Sequence, residues 1–185
     1  MKTLIILPVL LFSLLVGAPS YSADFGKGLT AFENGDFATA IKEWKPLAKG
    51  GNAIAQYNLG LMYRNGWGVL LDTKEAVRWW RLAAEQGYVD AQYNLGAIYE
   101  QGKIVTQDYE EAVRWWQLAA KQGFVKAQYN LGHMYRRGRG VPQDYKLSSR
   151  WFHLAAEQGD ALSQLMLGAM YEEGQGVPQD YKTAV

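Results

Sequence analysis

Ala55-Gln-Tyr-Asn-Leu-Gly60 returns as Ala91-Gln-Tyr-Asn-Leu-Gly96 and Ala127-Gln-Tyr-Asn-Leu-Gly132, and in altered form as Ser163-Gln-Leu-Met-Leu-Gly168, each 36 residues after the last. The same register carries Tyr63, Tyr99, Tyr135 and Tyr171, the glycines Gly66, Gly102, Gly138 and Gly174, and Asp72, Asp108, Asp144 and Asp180. It also carries the aromatic pairs Trp79-Trp80, Trp115-Trp116 and Trp151-Phe152, an Ala-Ala pair after each, and then Gly87, Gly123 and Gly159. A period of this length without strand-like alternation marks a helical solenoid, whose units bury their apolar faces only against their neighbours.

Each unit resolves into two helices. Helix A runs from about Ala53 to Asn65 in the first full unit, with Leu59, Met62 and Tyr63 on one apolar stripe. Gly66 stops it, since glycine suits the left-handed conformation that follows a helix. Asp72 is placed to cap helix B, and Asp108, Asp144 and Asp180 read the same way, as caps and not as general acids. Helix B runs to about Gln86 with Ala76, Trp80 and Ala83 on one face. The second aromatic of each pair is expected in the core. The first (Trp79, Trp115, Trp151) is expected to pack as well, more peripherally and wedged toward the adjacent unit, and Trp67 to be exposed in its loop.

Ala127-Gln-Tyr-Asn-Leu-Gly-His-Met-Tyr135, Gly138-Arg-Gly-Val-Pro-Gln-Asp-Tyr145 and Trp151-Phe-His-Leu-Ala-Ala-Glu-Gln-Gly159 resemble the Sel-one-like repeat (SLR) family, a branch of the tetratricopeptide superfamily. The resemblance covers about 24–185. It implies an all-α fold: an α/α solenoid of stacked antiparallel helix pairs in a right-handed superhelix. Two departures stand out. Leu70-Leu71 replaces the Pro-Gln found at 142–143 and 178–179, and Ile104 takes the second loop-glycine position, so the 102–107 loop is expected to adopt another shape.

These observations divide the chain into a leader at 1–22, a capping unit at 23–51, repeats at 52–87, 88–123 and 124–159, and a partial repeat at 160–185. The leader reads as a secretory signal: Lys2, an apolar run from Leu4 to Val16, then Gly17-Ala18-Pro19 and small residues. The apolar run is too short for a spanning helix, which needs about 20 residues. Cleavage before Ala23 or Tyr21 would remove Lys2 and leave equal numbers of basic and acidic residues. The expected product is periplasmic or secreted and free of the membrane. The capping unit aligns Ala40-Ile41 and Trp44 with Ala76-Val77 and Trp80, across a shorter Asn34-Gly35-Asp36 turn. At the other end the sequence stops at Thr183-Ala184-Val185, where helix B of the last unit should begin, as in a fragment or a curtailed array.

Composition removes most enzymology. The 185 residues contain no Cys and two His, which excludes thiolate metal sites, thiol catalysis and disulfides, and leaves His133 and His153 a poor metal pair. No Ser sits in a nucleophile elbow. The loop glycines follow a helix and not a strand, which argues against a phosphate loop. A formal charge of +1, with one small basic cluster (Arg136, Arg137, Arg139), argues against nucleic acid. No cofactor is expected.

Solenoids bind partners on the concave face lined by helix A. The positions off the core stripe are therefore the candidates: Tyr57, Asn58 and Arg64; Tyr93, Asn94 and Glu100; Tyr129, Asn130, His133 and Arg136; Leu165 and Met166. Tyr and Asn supply apolar area beside amides that can bind a peptide backbone. The resemblance implies the same use of helix-A Asn residues, although recurring Tyr and Asn also suit interhelix packing. Residues that change between units, Arg64, Glu100, His133 and Arg136, are the specificity candidates.

The leading reading is a non-enzymatic interaction scaffold or adaptor of the cell envelope, with a protein or peptide partner. The alternatives are a peptidoglycan- or β-lactam-related binder or hydrolase, as the resemblance implies for Cys-rich exported relatives, and a secreted factor binding host proteins. Leu162, Leu165 and Met166 make the last helix A apolar on nearly all sides, so an interaction edge is expected there, open to a partner or to self-association.

Overall fold

The computed structural model describes residues 23–180. Among them are nine α-helices and no strand: α1 (Phe25–Glu33), α2 (Phe37–Lys49), α3 (Ala53–Asn65), α4 (Thr73–Glu85), α5 (Val89–Gln101), α6 (Tyr109–Lys121), α7 (Val125–Arg137), α8 (Tyr145–Glu157) and α9 (Ala161–Glu173). Each helix packs against the one before and the one after it, most extensively within the pairs α1–α2, α3–α4, α5–α6 and α7–α8. The molecule is an α/α solenoid of stacked helix pairs. The leader at 1–22 and the expected start of a further B helix at 181–185 lie outside the described residues.

The expected punctuation is in place. Asp72, Asp108 and Asp144 accept hydrogen bonds from the backbone N–H of Glu75, Glu111 and Leu147 at 2.8–3.0 Å. Gly66, Gly102, Gly138 and Gly174 close the A helices with φ between 63° and 70°. Ile104 does change its loop. Gly68, Gly140 and Gly176 have positive φ, and among the described residues none other than glycine does. A Cβ at Gly140 or Gly176 would collide with the carbonyl of Tyr109 or Tyr145 on the preceding B helix. Ile104 instead packs, with Val105, on the cluster around Ala76 and Val77. The capping unit connects its helices through three residues, where the first full unit uses seven.

One device repeats through the core. The helix-A glycine lets the second aromatic of the pair lie flat on the helix backbone: a Cβ at Gly132 would sit 2.6 Å from Phe152, and one at Gly60 or Gly96 would overlap the Trp80 or Trp116 indole. The indole N–H then donates to a carbonyl three residues before the glycine, Trp80 to Tyr57 at 3.1 Å and Trp116 to Tyr93 at 3.2 Å. Trp44 does the same with Phe25 beside Gly28.

The first aromatics wedge onto the adjacent unit: Trp79 and Trp115 are 9 % and 3 % exposed and pack in the core, and Trp151 is half-buried beside the buried Phe152. Each packs on the two helices before its own: Trp79 with Trp44 and Leu59, Trp115 with Trp80 and Leu95, and Trp151 with Trp116 and Leu131. One expectation needs correction: Trp67 is not a free loop residue. It stacks on Phe37 at 5.7 Å and meets Phe32 edge-on at 5.4 Å, sealing the capping unit. Arg139 occupies the matching place over Tyr109.

Candidate functional site

Helix-A residues off the core stripe gather at one place, between α5 and α7. There a cleft of about 340 Å3 is lined by Tyr93, Ala97, Glu100 and Gln101 from α5 and by Tyr129, Asn130, His133, Met134 and Arg137 from α7. Trp116 forms its floor, and Arg139 reaches in from the following loop.

The cleft exists because the residue over each core aromatic changes between units. Trp80 has Arg64 over its ring at 5.7 Å. Phe152 has His133 against its ring at 5.1 Å. Over Trp116 the corresponding places hold Ala97 and Glu100, and the short alanine leaves the space unfilled. The Tyr93 ring packs on Phe124 at 5.0 Å, and Tyr129 lies edge-on to His133 at 4.6 Å, so both walls are held by ring contacts.

Arg137 and Arg139 against Glu100 leave the cleft one positive charge in surplus. His133 adds none at neutral pH. Burial holds its imidazole below its ordinary value, and the nearby Arg137 and Arg136 guanidinium groups push the same way.

Of the residues singled out in the sequence, Tyr93, Glu100, Tyr129, Asn130 and His133 line this cleft. The rest lie elsewhere. Tyr57 packs on Tyr88 at 4.8 Å and hydrogen-bonds Asn94, an arrangement that joins two units; burial raises the Tyr57 phenol above its ordinary range. Asn58 is half-buried on α3. Arg64 covers Trp80, and Arg136 pairs with Glu173 at 3.9 Å. Leu165 is exposed and Met166 half-buried on α9, at the far end of the array. Ala97, Gln101 and Arg137, which also line it, are helix-A positions off the core stripe in the same register, whereas Trp116 and Arg139 were not singled out for the cleft. The signal for the cleft was present: Ala97 is smaller than the residues at the same place in the units on either side, Leu61 and His133.

The Sel1 repeat model matches residues 53–88, 89–124, 125–160 and 161–185. This chain belongs to the Sel1 repeat family. Sel1 repeats generally act as non-catalytic scaffolds that mediate protein–protein interaction. Among solved structures, a protective antigen present in uropathogenic Escherichia coli strains, with an SLR fold, is 42 % identical with a TM-score of 0.81 over 86 % of this chain. A Sel1 repeat protein from Oxalobacter formigenes is 32 % identical with a TM-score of 0.82 over 87 % of this chain. The chain spans 35 % of the first relative's length and 66 % of the second's. Cysteine-rich protein B of Helicobacter pylori shares the fold at 18 % identity and a TM-score of 0.51, over 74 % of this chain and 91 % of its own. No curated protein matches the chain. Among the described residues no helix is long and apolar enough to cross a membrane.

Proposed function

We propose that this Sel1 repeat protein is a non-enzymatic adaptor of the cell envelope, periplasmic or secreted, that holds an extended segment of a partner protein across its helix-A face. The observation that carries the reading is the cleft over Trp116. It combines an aromatic floor with ring-braced walls, and it offers the Asn130 amide and the unpaired Arg137 guanidinium as polar groups at its sides. A side chain seated over Trp116 would bury apolar area, while the amide is suited to fix a peptide backbone. The surplus positive charge favours a segment carrying an acidic residue beside its anchor. The export signal at 1–22 supports the envelope location.

The test is to select binding peptides from a displayed library on the mature chain and to measure their affinities for two variants. Ala97→Leu fills the cleft with the residue that α3 carries at Leu61. It should weaken binding by about tenfold or more while leaving the melting temperature unchanged. Arg137→Glu should weaken acidic peptides selectively. Selected peptides that bind both variants as well as the original chain would refute the assignment.

A further inference from the structure

In the first full unit the chain covers its core indole with a cation of its own. Arg64, near the end of α3, holds its guanidinium 5.7 Å from the centre of the Trp80 ring, within the range of a cation–π contact. Leu61 packs on the same cluster. One unit later the same register holds Glu100 and Ala97, so Trp116 lacks both the cation and the larger apolar cover. In the third unit Arg136 pairs with Glu173 at 3.9 Å, and His133 lies against Phe152 instead. Among the full units, only the one with the open cleft carries a carboxylate where the first carries an arginine.

The two walls of the cleft carry opposite charges that do not meet. Glu100 stands on α5 and Arg137 on α7, and neither forms an ion pair among the described residues. Arg139 lies over the Tyr109 ring at 5.6 Å. Glu100 is half-buried, so a charge paired with it is screened less than one on the open surface. A cation entering alone would be repelled by Arg137, and an anion entering alone by Glu100. A segment that carries one of each finds a partner for both.

On the reading that the cleft holds a partner segment, we infer that the anchor of that segment is an arginine, its guanidinium set against Trp116 and paired with Glu100, while an acidic residue of the same segment reaches Arg137. The partner thereby supplies to Trp116 the cation that Arg64 supplies to Trp80 within the chain. Arginine suits the place better than lysine, because its planar group lies against a ring while its edge bonds a carboxylate, and it is the more weakly hydrated of the two.

Peptides are selected from a displayed random library on the mature chain, and those that also bind Ala97→Leu are discarded, so that every peptide retained needs the cleft. The tightest is labelled with fluorescein and titrated by anisotropy. It should contain an arginine, and replacing that arginine by citrulline, which keeps the shape and removes the charge, should weaken binding by about tenfold or more. Glu100→Gln should cause a loss of similar size without altering the melting temperature. Against that variant the arginine and citrulline peptides should bind within about twofold of each other, since both changes remove one contact. Retained peptides that lack arginine, or that bind equally well as citrulline forms, would overturn the arginine anchor while leaving the cleft as the peptide site. A citrulline loss that persists in full against Glu100→Gln would overturn it as well. If no peptide distinguishes the original chain from Ala97→Leu, the cleft is not the peptide site and the anchor falls with it.

Discussion

A glycine within a helix costs about 0.5–1 kcal/mol relative to alanine, so three of them in register need a compensating gain. At Gly60, Gly96 and Gly132 the gain is the flat approach of Trp80, Trp116 and Phe152 to the helix backbone. Gly96→Ala should therefore destabilise, by about 1–3 kcal/mol through overpacking against the indole. Trp116→Ala, which leaves a cavity and removes the indole hydrogen bond, should cost about 3–5 kcal/mol. Urea melts rank the two, and a Gly96→Ala variant more stable than the original chain would contradict the contact. His133 adds a pH dependence. In the unfolded chain its imidazole gains a proton near pH 6.5, and in the folded protein only at lower pH, because burial and then Arg137 and Arg136 disfavour the charge. The unfolded state thus binds more protons in that interval, and stability is lost as the pH falls from about 6.5 toward the lower folded value. Melts at pH 7.5 and 5.5 should show a smaller acid loss for His133→Phe than for the original chain; equal losses would remove His133 from the account.

At the scale of the helix, the sequence made the boundaries legible because each end carries its own chemistry: an Asp cap before helix B and a left-handed glycine after helix A. It did not make legible what lies between units. The Gln of each Ala-Gln-Tyr-Asn motif is buried and donates to the preceding unit, Gln56 to Ala48 at 2.9 Å and Gln92 to Ala84 at 3.0 Å. Its oxygen in turn accepts from the Gln at the end of helix B in its own pair, Gln86 for Gln56 at 2.7 Å and Gln122 for Gln92 at 2.8 Å. The recurrence was plain in the sequence, but both partners are other residues of the array, and no local pattern names them. Replacing Gln92 by Ala would remove two hydrogen bonds, leaving the Ala84 carbonyl with the Gly87 N–H and the Gln122 amide with the Gly87 carbonyl, at a cost of about 1–3 kcal/mol. Gln164→Ala, at an exposed position of α9, should cost under about 1 kcal/mol. Chemical denaturation of both variants checks the difference. Trp67 was misjudged for a related reason: a loop position reads as exposed until the rings of Phe32 and Phe37 are seen to meet it.

Across the whole molecule, the repeat settles the architecture and the deviations from the repeat locate the site. Tyr and Asn recur in every full unit, and at Tyr57 and Asn94 they serve to join units. The cleft opens instead where the register varies, at Ala97 between Leu61 and His133. For the same reason only five of the twelve candidate residues converge on it. Export belongs to this scale too. N-terminal sequencing of protein from fractionated cells should begin at Ala23 or Tyr21, and an intact Met1 in the cytosol would remove the envelope from the proposal.

The central claim is that partners are held over Trp116 on the helix-A face. It is tested most directly by site-specific photocrosslinking in living cells, with benzoylphenylalanine placed at Gln101 on the exposed rim of the cleft or at Glu110 on the exposed start of α6. The account predicts a discrete adduct from position 101 that Ala97→Leu and Arg137→Glu diminish, with none from position 110. An adduct from position 110 alone, or one from 101 that both variants leave unchanged, would contradict it.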